Sequence, residues 1–154
     1  MAPSKRECHT ICVSGDRLVL FGGNDDAGRF REVHILDTVS MRWSKIEATE
    51  QAPGKRSAHS AVMDAEGRWM YIFGGWNGTE ELADVTRFDV GKLQSLMVLS
   101  VSMACDQPAG FLRFPLHISL PQPADKHIWE RIIPRGIVPS ARHFQMSARV
   151  GNRM

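Results

Sequence analysis

One stretch of this 154-residue chain occurs twice, and the duplication restricts the fold more than any other feature of the sequence. Residues 56–89, RSAHSAVMDAEGRWMYIFGGWNGTEELADVTRFD, have a weaker copy at residues 6–37. The glycine pairs of the two copies, Gly22-Gly23 and Gly74-Gly75, lie 52 residues apart. A period of about 40 to 50 residues is typical of a solenoid, a propeller or another repeat array.

Within each copy the apolar residues follow the period of a β-strand. Trp69, Tyr71 and Phe73 alternate with two aliphatic residues in a run that ends at a glycine pair,. Asp, Ser and Gly between such runs supply the chemistry of tight turns. The pattern predicts no amphipathic helix and four strands per unit, near residues 6–13, 17–23, 31–37 and 42–46 of the first copy.

The order of the repeated residues resembles the kelch repeat, the unit of one class of β-propeller. Each unit runs Arg, His, a strand, Gly-Gly, an acidic residue and an Asp, and in the first unit Trp43 follows Asp37 by six residues. The resemblance covers about residues 6–89 and resumes at 128–148. It implies an all-β fold, a partial kelch-type β-propeller with four-stranded antiparallel blades and an incomplete ring. The repeat positions are Arg6, His9, Gly22, Gly23, Asp37, Trp43, Arg56, His59, Gly74, Gly75, Asp84, Asp89, Trp129 and Arg142.

We expect these repeat positions to be structural. A glycine pair that closes a buried strand lets neighbouring backbone approach closely. Arg56 and His59 stand three residues apart in a pattern that the first copy repeats. They are therefore predicted to form hydrogen bonds between blades and not a catalytic dyad.

We also expect structural roles for the repeated aspartate and tryptophan positions. Asp37, Asp84 and Asp89 are predicted at strand ends, where a carboxylate accepts unpaired backbone N–H groups. Trp43 and Trp129 are predicted on outermost strands. There each indole would cover the face of an adjacent blade.

The pattern divides the chain into two blades and the beginning of a third. The predicted blades are residues 6–46 and 56–132, and residues 140–154 are predicted to be the first strand of a truncated third blade. The second blade is interrupted, because Ser95 stands where the repeat requires a Trp and the missing Trp is Trp129.

The interruption is an apolar insert at about residues 91–123. A membrane span is disfavoured, because the uncharged run at 93–105 is shorter than the roughly 18–20 residues that a bilayer requires,. Two interpretations stay open, a functional insertion loop and a translated intron.

Composition limits the other classes of function. The net charge is +2 with both signs mixed, which predicts no nucleic-acid partner,. Three cysteines form neither a disulfide framework nor a zinc site, so we expect reduced thiols, no metal and no cofactor,. No signal peptide or membrane span is predicted, which favours a cytoplasmic location. A ring needs about four to eight blades, so oligomerisation is possible.

The predicted function is a protein-protein interaction module without catalysis, because repeat propellers carry function on loops held by a rigid scaffold. In the family, the loops between the second and third strands share a face with the links between blades. Trp76 is the expected anchor, since aromatic residues dominate interfaces. The resemblance places these partner-binding residues on that face: Asn24, Asp25, Asp26, Arg29, Trp76, Asn77, Glu80, Glu81, Lys55 and Arg135.

Two alternatives remain. The first is a fragment of a metal-assisted kelch enzyme of the nitrile-specifier or galactose-oxidase type. The iron motif of nitrile specifiers has only a partial counterpart in Glu80, Asp84 and Phe88, and Tyr71 is the single tyrosine. The second is a mis-spliced product without function. No nucleophile or phosphate-binding motif occurs, so no catalytic residue is predicted.

Overall fold

The computed structural model describes residues 1–91, 128–137 and 139–142. These ranges contain ten β-strands and no helix, so no helix within them could cross a membrane. The predicted insert at 91–123 lies outside the described residues except for Gly91. The predicted third-blade strand at 140–154 lies outside them beyond Arg142.

The first unit folds into one four-stranded sheet, here called the first sheet. Strands β1, β2, β5 and β6 pair antiparallel in that order, and β3 pairs with β4 in a small hairpin between β2 and β5. The bounds are β1 Thr10–Ser14, β2 Arg17–Phe21, β3 Asn24–Asp25, β4 Gly28–Arg29, β5 Val33–Asp37 and β6 Arg42–Ile46. The first strand begins later than predicted, because Cys8 has a positive φ of 53° that breaks the extended backbone,.

The second unit forms the second sheet, also antiparallel and in the order β10, β9, β8, β7. Its strands are β7 Ser60–Met63, β8 Trp69–Trp76, β9 Glu81–Asp89 and β10 Trp129–Ile132. The prediction of an all-β fold built from four-stranded antiparallel sheets is confirmed. The sheets do not close into a ring within the described residues.

By equivalence with the first copy, the sequence predicts a loop at 76–82 between the second and third strands of the second unit, but this connection is shorter in the structure. The pairing of β8 with β9 shifts register between Phe73 and Gly75 and then continues to Trp76 opposite Glu81. Asp84 consequently lies inside β9 and not at a strand end, so the expectation for this carboxylate was wrong.

The other two repeated aspartates do end their strands. Asp37 Oδ1 accepts the amides of Ser40 at 2.7 Å and Val39 at 3.0 Å, and these bonds lower the pKa of Asp37. Asp89 Oδ1 accepts the Gly91 amide at 2.9 Å. Both carboxylates thus accept hydrogen bonds from backbone N–H groups of the residues that follow the strand.

The core lies between the two sheets. Trp129 on the outermost strand of the second sheet is 3% exposed, and its ring centroid lies 5.2 Å from Phe21 of the first sheet. Phe88 is 5.0 Å from the same indole. Trp129 therefore covers the adjacent sheet, whereas Trp43, its counterpart on β6, is only half-buried.

Backbone and side-chain hydrogen bonds join the sheets. Gly23 N donates to Arg56 O at 3.0 Å, and Arg56 N donates to Phe30 O at 3.1 Å. His59 Nε2 lies 2.8 Å from Thr10 Oγ1 across the junction. His59 and the Arg56 backbone therefore bridge the sheets, but the Arg56 guanidinium binds within its own sheet.

The same backbone bonds recur one unit later. Gly75 N donates to Arg142 O at 2.9 Å, and Arg142 N donates to Leu82 O at 3.1 Å. Arg142 therefore occupies on the second sheet the place that Arg56 occupies on the first.

Acid is expected to destabilise this fold because His59 stays neutral inside it. Burial, reinforced by the charges of Arg56 and His9, lowers the pKa of His59 from 6.5 to about 3. Between those values the unfolded chain binds a proton that the folded chain does not, so stability falls as pH falls through this window. We expect a loss of about 2 kcal/mol between pH 7 and pH 5 in urea unfolding.

His59→Gln is the matched variant for this effect, since glutamine keeps a polar side chain and does not titrate. The variant should lose most of the dependence. A residual pH dependence is expected from His34, because burial lowers the pKa of that histidine as well. An unchanged pH dependence in the variant would contradict the assignment to His59.

Candidate functional site

The candidate site lies at one end of the two sheets, where the hairpins after β2 and β8 meet the segments that lead into β1 and β7. Glu7 bridges to Asn24, and Ser57 bridges to Trp76 in the equivalent place. Each lead-in thus pairs with the hairpin of its own unit. The two units thereby bring repeated parts of the chain to a shared junction.

A cavity of about 350 Å³ opens at this junction. Three residues predicted to bind a partner meet there, Asn24 and Arg29 from the first unit and Trp76 from the second. The other lining residues are Glu7, Cys8, Ser57 and Ala58. The cavity combines a cation, an indole, a carboxylate and a thiol.

Arg29 is the unusual side chain of the cavity. Its guanidinium has no hydrogen bond or ion pair with any described residue, and its Nε is shielded from solvent. It lies against the turn of the next hairpin, where a Cβ at Gly78 would come within 3.0 Å of Nη1. A shielded donor without an acceptor is costly and is expected to have a ligand or a water as its partner.

Trp76 lies at the end of a strand and not at a loop tip as predicted. Its N–H donates to Ser57 O at 2.9 Å, and its carbonyl accepts the Ser57 amide at 3.0 Å. The residue is half-buried. The two backbone hydrogen bonds to Ser57 therefore fix the backbone of Trp76, while part of the residue stays accessible to solvent.

Several other predicted binding residues shape their own hairpins. Asn24 Nδ2 donates to Glu7 Oε1 at 3.0 Å, and Asp25 Oδ1 accepts the amide of Ala27 at 2.9 Å. Asn77 Oδ1 accepts the amides of Thr79 and Glu80. These groups are engaged in local turn structure.

Two more cavities contain other predicted residues. Lys55 lines one of about 280 Å³ together with Asp25 and Arg29. Glu80 and Glu81 line the second, of about 640 Å³, together with Pro53 of the link between the two units. Hairpins and inter-sheet links therefore share one end of the structure.

Asp26 and Arg135 are exposed and line none of these three cavities. The structure therefore does not bring all ten predicted residues together. Their part in binding stays a prediction.

Sequence reasoning missed the lead-in residues of the site. Cys8 and Ala58 both have a φ of 53°, and Ala58 N donates to Cys8 O at 2.9 Å. They stand at the same repeat position, directly before the repeated histidine. That equivalence was the available signal, but neither residue type indicates a left-handed backbone.

The Arg positions of the two repeats bind their own sheets in different ways. Arg56 donates to Gly74 O at 2.9 Å and forms two bonds of 2.8 and 2.9 Å with Asp84. Burial alone would raise the pKa of Asp84, but Arg56 outweighs it and lowers that pKa. The pair is a closed structural unit and offers no free group to a ligand.

In the first repeat Glu32 stands at the position of Asp84, and its longer side chain contacts two cations. Its carboxylate is 3.7 Å from Arg6 and 3.2 Å from Lys45. Arg6 also donates to Gly22 O at 3.2 Å. The carboxylate is therefore shared between two cations, and its contact with the buried arginine is looser.

The residues that the enzyme alternative would need are engaged in structure. Asp84 binds Arg56, Phe88 lies in the core, and the Tyr71 hydroxyl accepts Arg87 Nη1 at 3.4 Å. Across residues 1–91, 128–137 and 139–142, no group of three or more His, Cys, Asp or Glu is arranged to hold a metal ion.

Comparison with known proteins identifies similar chains. The family model described as the KLHDC2/KLHL20/DRC7 Kelch-repeats domain matches residues 1–110. Acyl-CoA-binding domain-containing protein 4 of Arabidopsis thaliana is 39% identical over 74 residues, 47% of this chain and 11% of that protein. Kelch domain-containing protein 3 of Homo sapiens is 41% identical over 76 residues, 47% of this chain and 19% of that protein.

A third relative is the Rab9 effector protein with kelch motifs of Danio rerio, 35% identical over 88 residues. That match covers 54% of this chain and 24% of the relative. The chain thus spans at most about a quarter of the length of these three relatives. Since the family model covers well over half of the sequence, the chain belongs to the kelch-repeat family.

Proposed function

We propose that the chain is a protein-interaction module that offers the hairpin end of its two sheets to a partner protein and performs no catalysis of its own. Kelch repeats commonly serve in protein interaction. The observation that carries the proposal is the cavity of about 350 Å³ where Arg29 and Trp76 meet. The sequence favours a cytoplasmic location and no cofactor.

The chemistry of these two residues supports an interface. Tryptophan and arginine are enriched among the residues that contribute most to protein-protein binding. No described residue accepts a hydrogen bond from the Arg29 guanidinium. Its Nη groups are therefore available as donors to a partner protein. The backbone of Trp76 is already fixed by its pairing with Ser57, which reduces the ordering cost of binding,.

A peptide selected from a displayed library on the immobilised chain provides a defined probe. We expect Trp76→Ala and Arg29→Gln each to raise the Kd of that peptide at least tenfold, equivalent to about 1.4 kcal/mol. The melting temperature should stay within a few degrees, because neither side chain belongs to the core between the sheets. Titration calorimetry and thermal unfolding measure the two effects.

Arg42→Gln is the control for a general loss of positive charge. Arg42 is exposed and begins β6 at the opposite end of the first sheet. Binding that depends on Arg42 but not on Arg29 and Trp76 would contradict the proposed site. A large fall in melting temperature for Trp76→Ala would show that the indole is a packing residue.

A further inference from the structure

Three cations line the cavity of about 280 Å³ beside the candidate site. They are Arg29, Arg31 and Lys55, here called the basic cluster. Arg31 is not among the residues that the sequence predicted to bind a partner. Arg29 also lines the cavity of about 350 Å³ that contains Trp76. A ligand of the basic cluster would therefore lie next to the surface proposed for the partner protein.

The backbone of Phe30 holds the basic cluster together. Its N–H donates to Gly23 O at 2.9 Å, and its carbonyl accepts the Arg56 amide at 3.1 Å. The two arginines of the cluster flank Phe30, and the lysine directly precedes Arg56. These backbone bonds therefore fix the positions from which all three cationic side chains extend.

The cations of the basic cluster lack acceptors. The Nε atoms of Arg29 and Arg31 are both shielded from solvent and have no hydrogen-bond partner among the described residues. Arg31 Nη2 donates to Thr49 O at 2.9 Å, but no described carboxylate pairs with either arginine or with the exposed Lys55. Shielded donors without acceptors and cations without counter-ions are both costly, and an anion in the cavity would relieve both costs.

Two carboxylates also line this cavity, and each has partners outside the basic cluster. Glu32 contacts Arg6 at 3.7 Å and Lys45 at 3.2 Å. Asp25 Oδ1 accepts two backbone amides of its own hairpin turn, at 2.9 and 3.1 Å. Among the described residues, neither carboxylate forms an ion pair with the cluster, so its three charges are left for a ligand.

We propose that the basic cluster binds the phosphate group of a phosphorylated serine or threonine on the partner protein. This inference rests on the proposed function, because it names a chemical group of that partner. A phosphorylated side chain carries a charge of about −1.5 to −2 at pH 7 and three acceptor oxygens. Arginine guanidinium groups bind such oxygens in pairs. A carboxylate has one charge and two oxygens, so it would leave part of the cluster without a partner.

NMR titration of the isotopically labelled full chain tests the proposal. The probe is phosphoserine whose amino and carboxyl groups are blocked, and the readout is the Nε–H signals of Arg29 and Arg31. We expect both signals to shift in a saturable way, with a Kd in the millimolar range that rises with salt concentration. Blocked glutamate should bind at least tenfold more weakly, and blocked serine should cause no shift.

Three variants separate the basic cluster from general charge effects. Arg31→Gln and Lys55→Gln should each raise the Kd of blocked phosphoserine at least fivefold without changing the circular dichroism, since neither side chain belongs to the core. Asp25→Asn should lower the Kd, because it removes a negative charge from the cavity and keeps an Oδ1 acceptor for the turn. An increase in Kd for this variant would contradict the proposal.

Arg42→Gln is the matched control, because Arg42 is exposed and lines neither the cavity of the basic cluster nor that of Trp76. It should bind blocked phosphoserine like the unmodified chain. Equal losses in the Arg31 and Arg42 variants would overturn the proposal. A short thymidine oligonucleotide that binds more tightly than blocked phosphoserine would also overturn it, by showing that the cluster is a nucleic-acid contact.

The displayed peptide separates this inference from the proposed function, because that peptide contains no phosphate. If neither Nε–H signal responds to blocked phosphoserine while the displayed peptide still binds, the interaction module stands and the phosphate site is wrong. If neither ligand binds, both proposals are wrong.

Discussion

Replacing Arg56 by methionine is expected to lower the free energy of unfolding by about 3 kcal/mol. The guanidinium is buried and binds both carboxylate oxygens of Asp84 and the carbonyl of Gly74. Methionine fills much of the volume but leaves a half-buried carboxylate and a carbonyl without donors. Removing one partner of a buried ion pair costs about 3–5 kcal/mol, and the lower end applies here because Asp84 is partly exposed,. Urea unfolding at neutral pH measures the loss.

The first repeat supplies a matched control in Arg6→Met. Glu32 lies 3.7 Å from Arg6 and keeps Lys45 at 3.2 Å when the arginine is removed. The expected loss is therefore smaller, about 1–2 kcal/mol. Equal losses in the two variants would show that the paired carboxylate is not the source of the difference.

Much of the fold follows from the sequence because strand alternation and duplication support each other. The alternation around Tyr71 identifies a strand, and the copy 52 residues earlier places a second strand in the same order. The Trp register also located β10, since Trp129 pairs with Phe88 as Trp43 pairs with Leu36. A fixed repeat thus carries pairing information across residues that are far apart in the chain.

The predictions that were wrong depend on backbone geometry, which the residue types do not indicate. Trp76 was assigned to a loop by equivalence with the loop at 24–30 of the first copy, but a register shift after Phe73 allows the strand to continue through the glycine pair. Because the strands extend further than predicted, Asp84 lies inside β9, where it binds the Arg56 guanidinium. The repeat predicted which residues matter structurally but not their hydrogen-bond partners.

The candidate site was predictable only in part for the same reason. The rule that hairpins and inter-blade links share a face brought Arg29, Lys55 and Trp76 into the prediction. The cavity itself depends on the lead-ins at Cys8 and Ala58, whose left-handed backbone has no sequence signal. Positions that require glycine are easier to identify, because only one residue type satisfies them.

Gly22→Ala tests the closest approach of the two sheets and is expected to cost about 3 kcal/mol. An alanine Cβ at this position would lie 2.7 Å from Arg56 O and 2.9 Å from His59 Cε1. The φ of 64° adds a backbone penalty of about 1 kcal/mol for a residue with a side chain,. The remainder comes from overlap with backbone, which cannot move without separating the sheets. Thermal and urea unfolding report the loss.

Gly136→Ala separates the two contributions to this cost. Gly136 also has a positive φ, of 89°, but a Cβ there would meet no atom within 4 Å. The control should therefore lose only the backbone term, about 1 kcal/mol. A Gly22→Ala variant that loses no more than this control would mean that the sheets can separate slightly at low cost. In that case the contact of Gly22 with Arg56 and His59 would not be what fixes the spacing of the two sheets.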